Sequence, residues 1–116
     1  MSRWHGVCPV SRLPVDRGVA ALLDGEQVAL FRLADGTLHA VDNLDPFSGA
    51  MVLARGVVGS RGERPTVASP MYKQVFDLVT GQCLDDTQMS VATHAVRVSP
   101  GGIVEVQLRE ARRVAG

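Results

Sequence analysis

Apolar and polar residues alternate with a period close to two along most of this chain, and β-branched residues are frequent; no window carries the apolar stripe of an amphipathic helix. Trp4 to Cys8 reads as a first short strand, and Pro9 to Gly18 as a turn-rich connection. Val19 to Leu23 and Gln27 to Leu33 form a predicted hairpin across Asp24-Gly25, a pair that accepts the positive φ angles of a two-residue turn. Thr37 to Val41 is the next strand. The alternation within Gln27 to Leu33 is too imperfect to say which side chains share a face. Short apolar pieces follow at Met51 to Leu53 and Val57-Val58, and Gly59 to Pro65 reads as an exposed, charged turn. Thr66 to Ala68 and Val75 to Leu78 are further strands, and 86–90 is loop-like. Thr93 to Val98 and Ile103 to Leu108 flank Ser99-Pro100-Gly101-Gly102 as the clearest hairpin, and Arg109 to Gly116 reads as a frayed tail. Nine or ten short strands with frequent turn signals predict an all-β sandwich or small barrel.

Composition narrows the functional classes. The 116 residues suit a single domain, and 46% apolar content suffices for a core. Twelve basic and twelve acidic side chains cancel, which argues against nucleic acid and against a polybasic membrane anchor. Eleven of the twelve basic residues are Arg, with Lys73 alone as lysine. Cys8 and Cys83 lie far apart without metal-ligand spacing and read as free thiols in a reducing compartment. With no apolar leader at the N-terminus and no run long enough to span a bilayer, the expected location is the cytoplasm.

Two central segments are not explained by strand formation. Asn43-Leu44-Asp45-Pro46-Phe47-Ser48-Gly49-Ala50 is polar and turn-forming; Ser69-Pro70-Met71-Tyr72-Lys73-Gln74-Val75-Phe76-Asp77-Leu78 runs into Thr80-Gly81. Neither contains Cys or His. A Ser-x-x-Lys or Tyr-Lys enzyme reading of Ser69, Tyr72 and Lys73 lacks the helical setting, and no Gly-x-Gly-x-x-Gly loop is present for a dinucleotide. His5, His39 and His94 are scattered, the latter two in strands with no evident partner. Asp45 ahead of Pro46 suits a self-capping turn, with an ion pair to Lys73 or Arg55 as the alternative. Met51, Met71 and Met89 suit either core filling or a soft apolar interface.

Those two segments resemble the loops of the Rieske iron–sulfur family, in which Cys-Pro-His and Cys-Pro-x-His loops face each other and the second leads into Phe-Asp and Thr-Gly. The resemblance implies a Rieske-like fold of small antiparallel sheets, a sandwich or partly open barrel, as one domain over 1–110 with an inserted two-loop subdomain at about 42–81 and a flexible tail at 111–116. It places Asp45 and Phe47 where the first Cys and His would stand, and Ser69 and Tyr72 at the second pair, which implies no cluster, metal or other cofactor in this chain.

Within that family, the ligand-free forms of both loops, together with Arg55-Gly56-Val57-Val58-Gly59, Thr80-Gly81-x-Cys83-Leu84-Asp85-Asp86 and Val96-Arg97-Val98, are similar to the small subunit of assimilatory NAD(P)H nitrite reductase. The likeness implies an accessory, non-redox subunit without catalysis of its own. Its partner would be a large subunit carrying FAD, sirohaem and a [4Fe–4S] cluster, which reduces nitrite to ammonium. Phe47 and Tyr72 are then expected either to pack the loop tips together or, with Asp45 and Lys73, to touch the partner. The alternatives are an independent interaction or regulatory module on the same fold and a stand-alone electron carrier, and self-association of the isolated chain is left open.

Overall fold

A computed structural model of the chain describes residues 3–109. Its nine strands are β1 (Trp4–Pro9), β2 (Gly18–Leu23), β3 (Glu26–Arg32), β4 (Leu38–Asp42), β5 (Val57–Arg61), β6 (Arg64–Ala68), β7 (Val75–Asp77), β8 (Thr93–Val98) and β9 (Ile103–Gln107). They form a six-stranded sheet in the order β1-β9-β8-β4-β3-β2, curled into a nearly closed barrel, and a three-stranded sheet β5-β6-β7. All pairings among these nine described strands are antiparallel, and an isolated bridge from Val15 to Arg32 is parallel. The all-β, Rieske-like architecture expected from the sequence is the one observed.

The hairpins follow from local chemistry. Leu23 pairs with Glu26 around Asp24 (φ 50°) and Gly25 (φ 79°), the two positive angles of a turn whose twist matches its strands. Between β8 and β9, the Ser99 hydroxyl accepts the Ile103 N–H at 3.2 Å, and Gly102 adopts φ 85°. The expected exposed turn over Gly59 to Pro65 is instead mostly hairpin: Gly59 pairs with Thr66, Ser60 with Pro65 and Arg61 with Arg64, and only 62–63 reverse the chain. Because β5 is solvated along most of its length, it shows none of the apolar alternation by which strands are recognised.

Both core clusters meet on β3 and β4. Val28, Leu30 and Ala40 face the barrel interior with Leu13, Leu23, Val104, Val106 and Leu108. Ala29, Phe31 and Val41 face the other way, into a layer with Leu53, Val67, Phe76, Leu78, Cys83 and Val91 that joins barrel to small sheet. A strand buried on both sides has no polar face, which is why β3 resists assignment from its pattern alone.

His94 and Arg109 depart from expectation. His94 is buried, its Nε2 lies 2.9 Å from an Asp42 carboxylate oxygen, and its Nδ1 accepts the Arg109 backbone N–H at 3.0 Å. Arg109 also donates from Nε to the Thr93 carbonyl at 2.9 Å, so the chain stays pinned to β8 at the point where fraying was expected to begin. The expected flexible tail at 111–116 lies outside the described residues.

Two glycines separate conformational from packing strain. A Cβ at Gly81 (φ 80°) would lie 2.0 Å from the Val91 carbonyl oxygen, whereas one at Gly25 (φ 79°) would meet nothing within 4 Å. Chemical denaturation is expected to show a loss of about 1 kcal/mol for Gly25→Ala, from the left-handed backbone alone, and about 3 kcal/mol or more for Gly81→Ala, where backbone must also move.

Candidate functional site

The first loop is hung from Asn43 at the end of β4. Its buried side chain accepts the Ala54 N–H at 2.7 Å and donates to Gln27 Oε1 at 3.1 Å, while its carbonyl accepts the Leu53 N–H at 3.0 Å. These bonds fix both ends of the loop and seat a single 3-10 turn, Leu53–Arg55, against β2 and β3.

Beyond these anchors the two loops repeat one hydrogen-bond pattern. Asp45 N–H donates to the Ala50 carbonyl and accepts from Gly49 N–H at its own carbonyl, both at 2.8 Å. Ser69 does the same with Gln74 at 2.9 Å and Lys73 at 3.0 Å. In each loop the side-chain oxygen of the first residue accepts the N–H two positions on: Asp45 Oδ1 from Phe47 at 2.8 Å, Ser69 Oγ from Met71 at 3.3 Å. In each, the residue four positions on has positive φ, Gly49 at 78° and Lys73 at 64°. Lys73 occupies a conformation that a side chain resists, held there by its bond to Ser69.

One bond joins the loops. Ser69 Oγ donates to Asp45 Oδ2 at 2.5 Å, and both residues are buried. Asp45 thus makes the expected self-capping turn with one oxygen and braces the facing loop with the other; neither Lys73 nor Arg55 is its partner. The aromatic positions diverge. Phe47 is half-buried and turns inward, its ring centroid 6.2 Å from that of Phe76 in the interlayer core, whereas Tyr72 is 60% exposed. The loop tips are therefore joined by Asp45 and Ser69 rather than by aromatic packing between Phe47 and Tyr72.

Of the four residues expected to touch a partner, Tyr72 and Lys73 are exposed, Phe47 is half-buried, and Asp45 is an internal brace. Met51 and Met71 are exposed, but Met89 packs against the interlayer core. Leu44, the bridge partner of Met51, is also exposed and was not singled out by its sequence context. Below the second loop, Asp85 Oδ2 accepts the Val75 N–H at 2.8 Å and Oδ1 accepts from Arg61 at 3.1 Å. The Val75 N–H, then the Arg61 guanidinium, hold this carboxyl below its ordinary value.

Residues 3–107 match the profile of the Rieske-like [2Fe-2S] domain. This chain belongs to the Rieske-like family. Among its relatives is the nitrite reductase (NADH) small subunit of Salmonella typhimurium, 42% identical over 110 residues that span 94% of this chain and 99% of the relative. A crystal structure from Mycobacterium tuberculosis, assigned as an NADH-dependent nitrite reductase small subunit, superposes with a TM-score of 0.91 at 51% identity, covering 94% of this chain and 97% of that one. The nitrite reductase [NAD(P)H] large subunit of Klebsiella oxytoca contains a stretch 39% identical over 100 residues, 86% of this chain but only 10% of that protein.

The Rieske-like family implies a [2Fe–2S] group held by two thiolates and two imidazoles. The residues present do not fit it. At the positions that the loop resemblance assigns to thiolates, a carboxylate and a hydroxyl are already bonded to each other, and at those it assigns to imidazoles, one phenyl ring enters the core and one phenol is exposed. Among the described residues no group of three or more His, Cys, Asp or Glu side chains is arranged to hold a metal ion.

The Asp45 brace is open to a double-mutant cycle. Asp45→Ala is expected to cost about 3 kcal/mol in denaturant unfolding, because Phe47 N–H and the Ser69 hydroxyl both lose an acceptor, and the coupling between Asp45→Ala and Ser69→Ala to be about 2 kcal/mol. Additive losses would show that the two residues act separately.

Proposed function

We propose that this chain is a non-redox accessory small subunit of an NAD(P)H nitrite reductase, docking on and supporting the large subunit. The observation that carries the reading is the Klebsiella oxytoca large subunit, which includes a stretch of this kind within its own polypeptide. A module joined covalently to a large subunit in one protein suits a partner of that subunit when it exists as a separate chain. High coverage by small subunits at both the sequence and the structural level supports the same role.

In this reading FAD, sirohaem and the [4Fe–4S] cluster belong to the large subunit and supply the electron transfer that reduces nitrite. What this chain contributes is a shaped surface. The Asp45–Ser69 bond holds two loops side by side, and exposed Tyr72, Met71, Leu44 and Met51, with Lys73 beside them, offer an aromatic and apolar tip of the composition that anchors protein interfaces. Phe47 supports that tip from below through Phe76. The isolated chain has no catalytic step to perform, and the complex is expected in the cytoplasm.

Titration of the purified large subunit with this chain, followed by calorimetry and by nitrite-dependent NADH oxidation, tests the docking. Tyr72→Ala combined with Met71→Ala is expected to weaken association by about tenfold or more while leaving the fold intact. Unchanged affinity together with unchanged activity would sink the loop-tip interface. The non-redox part has a separate test: anaerobic incubation with ferrous iron and sulfide is expected to leave the chain colourless, and a visible iron–sulfur absorption would overturn it.

A further inference from the structure

Away from the loop tips, a cleft of about 300 Å³ lies between the approach to β2 and the 3-10 turn, lined by Pro14, Arg17, Gly18, Ala54, Arg55 and Gly56. Its walls touch through backbone. A Cβ on Gly18 would lie 2.2 Å from the Ala54 carbonyl oxygen, and one on Gly56 would lie 2.5 Å from that of Ala68. Glycine at position 18 lets the approach to β2 meet the 3-10 turn closely, and glycine at 56 lets that turn lie against β6, which brings two arginines 38 positions apart in sequence (55 − 17) to one cleft. The far wall is fixed as well, because Asn43 Oδ1 holds the Ala54 N–H at 2.7 Å.

Nothing among the described residues of the cleft compensates the two charges. Arg17 and Arg55 are exposed, and among the described residues neither side chain has an ion pair or hydrogen bond with another residue. Among the described residues no carboxylate lines the cleft, and the adjacent Asp16 is engaged elsewhere, its Oδ1 accepting the Ala34 N–H at 3.2 Å. By contrast, Arg3, Arg61, Arg64 and Arg97 each sit on an acidic residue. Two arginines that line one cavity without a partner of their own are complementary in charge to a carboxylate, which can accept from both.

The setting also selects where that carboxylate comes from. A free anion between two solvated guanidiniums gains little, because water screens the pair. A carboxylate borne on a surface that covers the cleft excludes that water, and the bonds strengthen. The neutral overall charge and the absence of a basic run disfavour a nucleic-acid backbone. We infer that the Arg17–Arg55 cleft is a second docking point that takes an aspartate or glutamate side chain from the surface of the large subunit. This inference rests on the docking reading above and adds to it a site outside the two loops.

The test is the affinity for the intact large subunit at low and moderate salt, for the unaltered chain, Arg17→Gln, Arg55→Gln and the double variant. Each single change is expected to weaken binding about tenfold at low salt and to flatten its salt dependence. Because both arginines serve one carboxylate, the double variant should lose less than the product of the single losses. Melting temperatures should not move, since both side chains are exposed; should a glutamine variant melt early, Arg17→Lys and Arg55→Lys decide, because they should retain the salt dependence while losing part of the affinity. If the unaltered chain binds and the variants match it in affinity and salt dependence, the cleft is not a docking point and the loop-tip interface stands. If the unaltered chain does not bind at all, the docking reading falls and this inference with it. Saturable submillimolar binding of acetate alone would overturn the assignment to a partner-borne carboxylate.

Discussion

The bond from the Ser69 hydroxyl to Asp45 is the constraint on which the two-loop end of this molecule depends. A buried carboxylate is tolerated only when its oxygens are met by donors, and here Ser69 O–H and Phe47 N–H meet one oxygen each. The bond therefore completes a solvation shell that the loop would otherwise lack. It also sets the two loops in parallel, because each begins its repeated turn at the bonded residue. Once they are held this way, the positive φ at Lys73 accompanies an exposed Tyr72, and Phe47 is left to fill the gap above Phe76.

This arrangement reaches into the scaffold through few residues. Asn43 ties the first loop to β3 and to the 3-10 turn. Asp77 ties the second to its exit turn, accepting N–H groups of Val79 and Thr80 at 2.7 and 3.2 Å, while Arg64 pairs with its other oxygen. Cys83 lies at zero exposure in the same layer, where a thiol packs as a small apolar group. A framework shared with the Rieske-like family is here stabilised by neutral and charge-assisted hydrogen bonds and by aromatic packing.

Much of the fold was legible because it rests on short-range chemistry. Asp24-Gly25 and Ser99 to Gly102 announce their turns, and the Pro, Gly, Phe-Asp and Thr-Gly pattern of the two loops pointed to the Rieske-like frame. What stayed hidden is long-range or two-sided. The faces of β3 could not be assigned because both are buried, and the β5–β6 hairpin was obscured because little of β5 is. The clamp of His94 by Asp42 spans 52 positions, and the Asp45–Ser69 brace spans 24. The brace did leave a signal: the two positions that the family resemblance assigns to thiolates hold an acceptor and a donor, a complementary pair that local pattern reading treats one residue at a time.

The two loops braced by Asp45 and Ser69 are proposed to present their tip to the large subunit. Hydrogen exchange of this chain, alone and in the presence of the large subunit, addresses this most directly. The account predicts added protection at 44–51 and 70–75, joined by 17–18 and 54–56 where the second docking point is covered, with β8 and β9 unchanged. Protection confined to β8 and β9, with both loops exchanging as in the free chain, would contradict it.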